Sequence, residues 1–173
     1  MVHRGRLHTG VVVIVRATRE LLPRLGGVQA APREVSDTLL GDWYVKKLAW
    51  RRQVALLVSE STLLPVLVPL APAVTLLDRF PSVLAGQLRL HGLRETVVER
   101  EVRGTADYRL APTASRSVIG SMNEFAFLAD VYREQDAEPD LMGWSLRLAT
   151  VPCGPLFSRH VSPDREPAAL VDP

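Results

Sequence analysis

Apolar residues in the first part of the chain follow patterns that are typical of β-strands. Val11–Arg16 is a short β-branched run and predicts a buried strand. Asp42–Trp50 alternates loosely between apolar and polar positions, and Val54–Val58 is an apolar run that follows a short basic segment. These two runs predict a pair of strands joined by a tight turn. Ser61–Leu70 is also apolar, but its prolines restrict it to a sheet edge or to an irregular extended segment.

Helical periodicity dominates the rest of the chain. Apolar positions recur every three or four residues over Thr75–Leu90, and a more charged helix is predicted over Leu93–Arg103. The clearest helical pattern is Ser121–Glu134, in which apolar residues step by four and three along one face. Asp140–Ala149 predicts a last short helix. Strands followed by helices predict an α+β fold, with a small, mainly antiparallel sheet and helices packed on one face.

The length of 173 residues fits one domain with a packed core. We expect residues 11–170 to form this single globular domain and residues 1–10 to form a flexible basic flank. No apolar run is long enough to span a membrane, so no membrane contact is expected. The single cysteine, Cys153, excludes an internal disulfide and fits a reducing compartment, which predicts a cytoplasmic protein.

Charge and metal chemistry change this picture little. The formal net charge of +2 is too small to indicate a nucleic-acid partner by itself. Of the 21 basic residues, all but Lys46 and Lys47 are arginines, a bias typical of a GC-rich genome as well as of anion binding. The four histidines share no metal-site spacing, so no metal or cofactor is expected. Cys153 and His160 lack a third catalytic partner, which favours Cys153 as a buried apolar residue.

Several runs of the sequence are long enough to serve as motifs. They are Gly41–Tyr44, Arg51–Leu56, Thr62–Pro72, Arg116–Gly120, Met122–Phe125, Pro152–Leu156 and His160–Arg165. Together they resemble a bacterial domain family of unknown function, and the resemblance extends from about Val13 to Leu170. It implies a stand-alone intracellular domain with no assigned activity. The family pattern carries Asn where this chain has Ser115, and Ser replaces Asn as a helix cap with fewer donors.

Polar chemistry is concentrated in Thr113–Phe125, at a predicted loop-to-helix junction. Such a junction directs free backbone N–H groups and the positive end of the helix dipole towards a ligand. Ser121 and Glu124 fit a capping box, which gives both residues a structural role at the start of the helix.

The predicted ligand contacts at this junction centre on Arg116, which would anchor an anionic group. Ser117 and Asn123 would set the orientation of the ligand, and Thr113 belongs to the same site. The alternative is that Arg116 pairs with a carboxylate such as Asp42 and acts as a structural clamp.

A second part of the site is predicted on the basic hairpin. Trp43, Arg51 and Arg52 combine an aromatic ring with two guanidinium groups, a combination that stacks on and neutralises nucleotides. The alternative is that Trp43 packs in the core and the two arginines form a solvated turn.

These residues support three hypotheses of function. The leading one is a non-catalytic module that binds a nucleotide, a phosphorylated metabolite or a nucleic acid at the junction. The second is a small enzyme in which Arg116 stabilises negative charge and Glu124 acts as a base. The third is a protein-interaction component of a bacterial two-gene cassette, with an exposed apolar patch at Leu63–Leu70.

Overall fold

The computed structural model describes residues 12–138 and 140–171, so the predicted flank of residues 1–10 lies outside the described residues. Six strands are formed: β1 Val13–Ala17, β2 Val28–Gln29, β3 Trp43–Leu48, β4 Val54–Ser59, β5 Pro65–Pro69 and β6 Tyr108–Pro112. Five α-helices accompany them: α1 Leu76–Leu90, α2 Glu95–Ala106, α3 Arg116–Gln135, α4 Leu141–Ala149 and α5 Glu166–Val171. None of the helices in these ranges is long and apolar enough to cross a membrane.

The strands form a mixed sheet in the order β2-β6-β1-β3-β4-β5. The α+β class is therefore confirmed, but the expectation of a mainly antiparallel sheet is only partly met. β6 pairs in parallel with β2 and β1, and β1 pairs in parallel with β3, whereas β4 is antiparallel to both of its neighbours. The physical reason is the α1–α2 pair, which lies between β5 and β6 and returns the chain across the sheet, as parallel pairing requires.

Helices cover both faces of the sheet, so the prediction of helices on one face is wrong. On one face Trp43 packs edge-on against Phe80 of α1, with ring centroids 4.8 Å apart. On the other face Tyr44 lies in a second core with Phe125 of α3 and with side chains of α4. All six residues of Val54–Ser59 are buried. The apolar run Val54–Val58 within it is typical of a strand that is covered on both faces.

The edge of the sheet at β5 is closed by side chains of the neighbouring helices. Pro65 has no N–H to offer, and its carbonyl accepts a hydrogen bond from Gln87 Nε2 at 2.8 Å. The N–H of Leu67 donates to Ser145 Oγ of α4 at 2.9 Å. The prolines thus mark an edge strand, as the sequence indicates, and the N–H of Leu67 between them is already bonded.

The apolar side chains of this segment are buried as well. Within Leu63–Leu70, Pro69 is the exposed residue and the other seven are buried. The exposed apolar patch that a protein-interaction module would require at Leu63–Leu70 is therefore not formed, because α1 and α4 pack against β5.

We expect the substitution Ser145→Ala to lower the free energy of unfolding by about 1–3 kcal/mol, since it leaves the buried N–H of Leu67 without an acceptor. Urea denaturation measures this change. Ser82→Ala, at an exposed position of α1, is the matched control and should change stability by less than about 0.5 kcal/mol. Equal effects of the two substitutions would contradict the proposed closure of the edge.

A buried carboxylate holds the segment that leads into β3. Glu101 of α2 is only 2% exposed, and it accepts hydrogen bonds from the N–H groups of Leu39 at 2.9 Å and Leu40 at 3.1 Å. Burial raises the pKa of Glu101, although the two N–H groups and Arg100 act in the opposite direction. The folded protein therefore binds a proton at Glu101 more tightly than the unfolded chain does.

The stability contributed by Glu101 should fall with rising pH. It is fully present below the glutamate pKa of the unfolded chain and decreases until the higher pKa of the folded state is passed. The variant Glu101→Gln lacks this titration, so the stability of the wild type relative to the variant should decrease as the pH rises through that window. Urea titrations at a series of pH values measure the difference; a relative stability that increases with pH would disprove the assignment.

Candidate anion-binding site

The predicted junction lies at the start of α3, but the helix begins earlier than the sequence pattern indicates. Ser115 is the N-cap, and its side chain accepts a hydrogen bond from the N–H of Val118 at 3.3 Å. Ser121 is buried inside the helix, so the predicted capping box of Ser121 and Glu124 is wrong. Ser115 fulfils the capping role that the family resemblance leaves open for a serine at this position.

Tyr44 connects the start of α3 to the sheet. Its hydroxyl accepts a hydrogen bond from the N–H of Ser115 at 3.0 Å and lies 3.4 Å from Glu60 Oε1. Burial raises the pKa of Tyr44, so the phenol stays protonated and donates to Glu60. Burial, reinforced by the charge of Asp42, also raises the pKa of Glu60. These contacts give the polar residues around the junction a structural role.

The clamp between Arg116 and Asp42 is not formed. Asp42 instead pairs with Arg16 of β1, with Nε and Oδ2 2.6 Å apart, and also accepts a hydrogen bond from Ser36 Oγ. Arg116 is exposed, and in the described part of the chain it has neither a hydrogen bond nor an ion pair. It is therefore a surface residue.

The structure does not gather the four predicted junction residues into one cradle. Thr113 is half-buried before the helix, and Arg116 and Ser117 are exposed in its first turn. Asn123 lies about 10 Å further along the helix axis than Arg116. Its Oδ1 accepts a hydrogen bond from Lys46 Nζ at 2.9 Å.

The hairpin residues separate into a core residue and two surface residues. Trp43 is fully buried, so the alternative that it packs in the core is the one the structure shows. Arg51 and Arg52 are exposed in the turn between β3 and β4. This turn lies beside Asp130 of α3, about 21 Å along the helix from Arg116. The turn of the hairpin and the junction are therefore separate, although β3 itself reaches the junction through Tyr44.

A cavity of about 530 Å³ lies where this turn meets the end of α3 and the start of α4. It is lined by Trp50, Arg51, Arg52, Gln53, Val54, Pro69, Arg133, Leu141 and Trp144. Two tryptophans and three arginines thus surround a single concavity. The structure places both predicted hairpin arginines in this cavity.

The two indole rings form an apolar wall because their polar atoms are already bonded. Trp50 Nε1 donates to Asp130 at 2.5 Å, and Trp144 Nε1 donates to Asp136 at 2.5 Å. The rings meet edge-on, with centroids 5.8 Å apart. Both indoles are largely buried, at 9% and 2% exposure, and they are held rigidly by these contacts.

Positive charge surrounds the opening of the cavity. Arg51 and Arg52 have no hydrogen bond or ion pair among the described residues. The guanidinium of Arg133 lies 5.4 Å from the centre of the Trp50 ring and 3.9 Å from Asp130. An apolar wall beside unpaired guanidinium groups suits a ligand that has an anionic group and an apolar body.

Comparison with known proteins places the chain in a family. Residues 14–166 match the family model described as a domain of unknown function (DUF6933). The chain belongs to this family. No curated protein and no solved structure matches it. The resemblance to an uncharacterised domain family is thereby confirmed over most of the chain.

For this member of the DUF6933 family, sequence reasoning predicted Arg51 and Arg52 and missed the other residues that line the cavity. Trp144, Leu141 and Arg133 lie in a distant part of the chain and reach the hairpin turn through the packing of α3 and α4. Trp144, which follows Gly143 in the predicted helix Asp140–Ala149, was the one sequence feature that could have indicated this part of the cavity. Trp144 reaches the hairpin only because α4 packs against β5, and this packing cannot be read from the local sequence.

Residues 12–138 and 140–171 contain neither a metal-binding cluster nor an exposed thiol. No group of three or more His, Cys, Asp or Glu side chains is placed to hold a metal ion. Cys153 is 1% exposed, and its thiol donates to the carbonyl of Val151 at 3.4 Å. His160 Nδ1 lies 3.1 Å from Glu166. Cys153 thus lies in the core, as the sequence indicates.

The thiol of Cys153 should be unreactive in the folded protein. Burial, with a further contribution from the charge of Glu124, raises the pKa of Cys153 to about 11. At pH 8 we expect Cys153 to react with a disulfide reagent about 100-fold more slowly than in the unfolded chain, because less thiolate is present. Reaction in urea provides the reference rate, and an equal rate in the folded protein would contradict the burial of Cys153.

Proposed function

We propose that this protein is a non-catalytic module that binds an anionic small molecule in the cavity between Trp50, Trp144 and the hairpin arginines. The observation that carries the proposal is the convergence of unpaired arginines and an apolar wall on one concavity of about 530 Å³. Ligand pockets for small molecules commonly enclose about 300–1,000 Å³. The ligand class is a nucleotide or a phosphorylated metabolite that carries an apolar or aromatic group.

Arg51 and Arg52 are the anchors for the anionic group. Both are exposed and have no intramolecular partner in the described chain, so no internal ion pair has to be broken when a ligand binds. Planar guanidinium groups bind phosphate or carboxylate oxygens in a bidentate manner. Arg133 adds a third positive charge, which its contact with Trp50 holds in place.

The body of the ligand would lie against Trp50, Val54, Pro69 and Leu141. Because both indole N–H groups are bonded to aspartates, the wall offers no donors for reading a base edge. Gln53 is the uncharged polar side chain at the cavity, and its Oε1 accepts from Arg24 at 3.1 Å. We therefore expect selection by charge and shape in preference to selection of one particular base.

The competing hypotheses receive less support. Glu124 lies about 12 Å along α3 from Arg116, which is too far for both to act on one reacting centre. A single concavity suits a small ligand better than a long nucleic-acid strand. A bacterial cytoplasmic location remains part of the proposal, and the unpaired Cys153 is compatible with a reducing compartment.

Thermal shift with adenosine diphosphate, phenyl phosphate and inorganic phosphate tests the proposal. A ligand at about 100 times its dissociation constant stabilises the folded state by about 2.7 kcal/mol, which corresponds to several degrees. We expect the two ring-bearing compounds to stabilise the protein more than inorganic phosphate does. Arg51→Ala and Arg52→Ala should each weaken binding by about tenfold or more, since each removes a charge-assisted hydrogen bond.

Arg116→Ala is the matched control for these variants. It removes another exposed arginine, at the other end of α3, so binding should be unchanged. If Arg116→Ala abolished the shift while the hairpin variants retained it, the binding site would lie at the junction. If none of the three compounds shifted the wild type, anion binding in this cavity would be disproved.

A further inference from the structure

The outer face of α3 carries a stripe of exposed side chains, two of which, Asn123 and Asp130, also accept hydrogen bonds from Lys46 and Trp50. Its members repeat at intervals of four and three residues and are all exposed: Arg116, Gly120, Asn123, Phe127, Asp130 and Glu134. This spacing keeps them on one side of the helix, because an α-helix has 3.6 residues per turn. The stripe is about 27 Å long.

An exposed aromatic ring lies near the middle of this stripe. Phe127 is 67% exposed, and it lines a shallow depression of about 460 Å³ together with Asn123, Glu124 and Leu128. A single exposed aromatic side chain is common on protein surfaces and identifies no partner. The charges at the two ends of the stripe, in contrast, indicate which partner would fit it.

The stripe is positive at one end and negative at the other. Arg116 lies in the first turn of α3 and Glu134 in the last, and neither has a hydrogen bond or ion pair within the described chain. Two such stripes in antiparallel orientation would place each Arg116 opposite the Glu134 of the other copy. Asn123 and Phe127 would then face each other at the centre. A parallel arrangement would instead bring like charges together.

We propose that the outer face of α3 binds the same face of a second copy of this chain, with the two helices antiparallel. The pairing is self-complementary, as a two-fold symmetric interface requires. Two antiparallel helix dipoles also favour this orientation. Since one helix stripe provides a small contact area, the dimer should be weak and reversible. The proposal does not depend on the ligand cavity.

Charge reversal tests the pairing. Sedimentation velocity over a wide range of protein concentration should show a monomer–dimer equilibrium for the wild type. Arg116→Glu and Glu134→Arg should each raise the dissociation constant of the dimer by about tenfold or more, because each replaces two attractive pairs with two repulsive ones. The double variant restores opposite charges and should dimerise to within about threefold of the wild type.

These variants keep the folded monomer intact. A glutamate in the first turn of a helix and an arginine in the last turn both interact favourably with the helix dipole. Circular dichroism and thermal melting of the monomer would check that each variant keeps the fold. Phe127→Ala should also weaken the dimer, whereas Arg103→Glu, at an exposed position of α2, is the control that should leave it unchanged.

Three outcomes would overturn the proposal. The first is a wild type that remains monomeric over the whole concentration range. The second is an Arg116→Glu variant that dimerises as strongly as the wild type. The third is a double variant that stays as weak as the single variants, since opposite charges would then not be what the interface recognises.

Discussion

Burial of β4 on both of its faces is the constraint on which the arrangement of the other elements depends. Val54–Ser59 contributes six consecutive buried residues, and one helical layer cannot cover a strand from both sides. α1 and α2 therefore lie on one face of the sheet, and α3 and α4 lie on the other. The same requirement brings the start of α4 to the end of the β3–β4 hairpin, where the cavity forms.

Local features of the fold could be predicted from the sequence. The apolar run Val54–Val58 predicts a strand, and Pro65 and Pro69 predict the edge position of the next one. The parallel pairing of β6 with β1 could not be predicted in the same way, since it depends on where the α1–α2 pair returns the chain. The start of α3 was predicted too late in the chain, because Ser115 and Ser121 are both residue types that cap helices. The hydrogen bond from the N–H of Val118 to Ser115 and the burial of Ser121 decide between them.

The residues of the candidate site also divide into those that local sequence predicts and those that depend on tertiary packing. The exposure of Arg51 and Arg52 could be predicted because adjacent arginines in a tight turn are exposed in almost any fold. Trp144 and Arg133 could not, because their place in the cavity results from helices that meet the hairpin from distant parts of the chain. Trp43 shows the opposite case. The alternation of β3 directs Trp43 and Tyr44 to opposite faces, and both faces prove to be buried.

The closure of the β5 edge has a consequence for the order in which the chain becomes protected during its synthesis. Ser145, which accepts the hydrogen bond of Leu67, follows it by 78 positions. In a nascent chain that still lacks α4, the N–H of Leu67 can bond only to water or to a neighbouring strand. During that interval the two prolines, each without an N–H, are what limits strand addition from a neighbouring chain. Because the prolines need no partner from α4, this protection of the edge does not depend on completion of the fold.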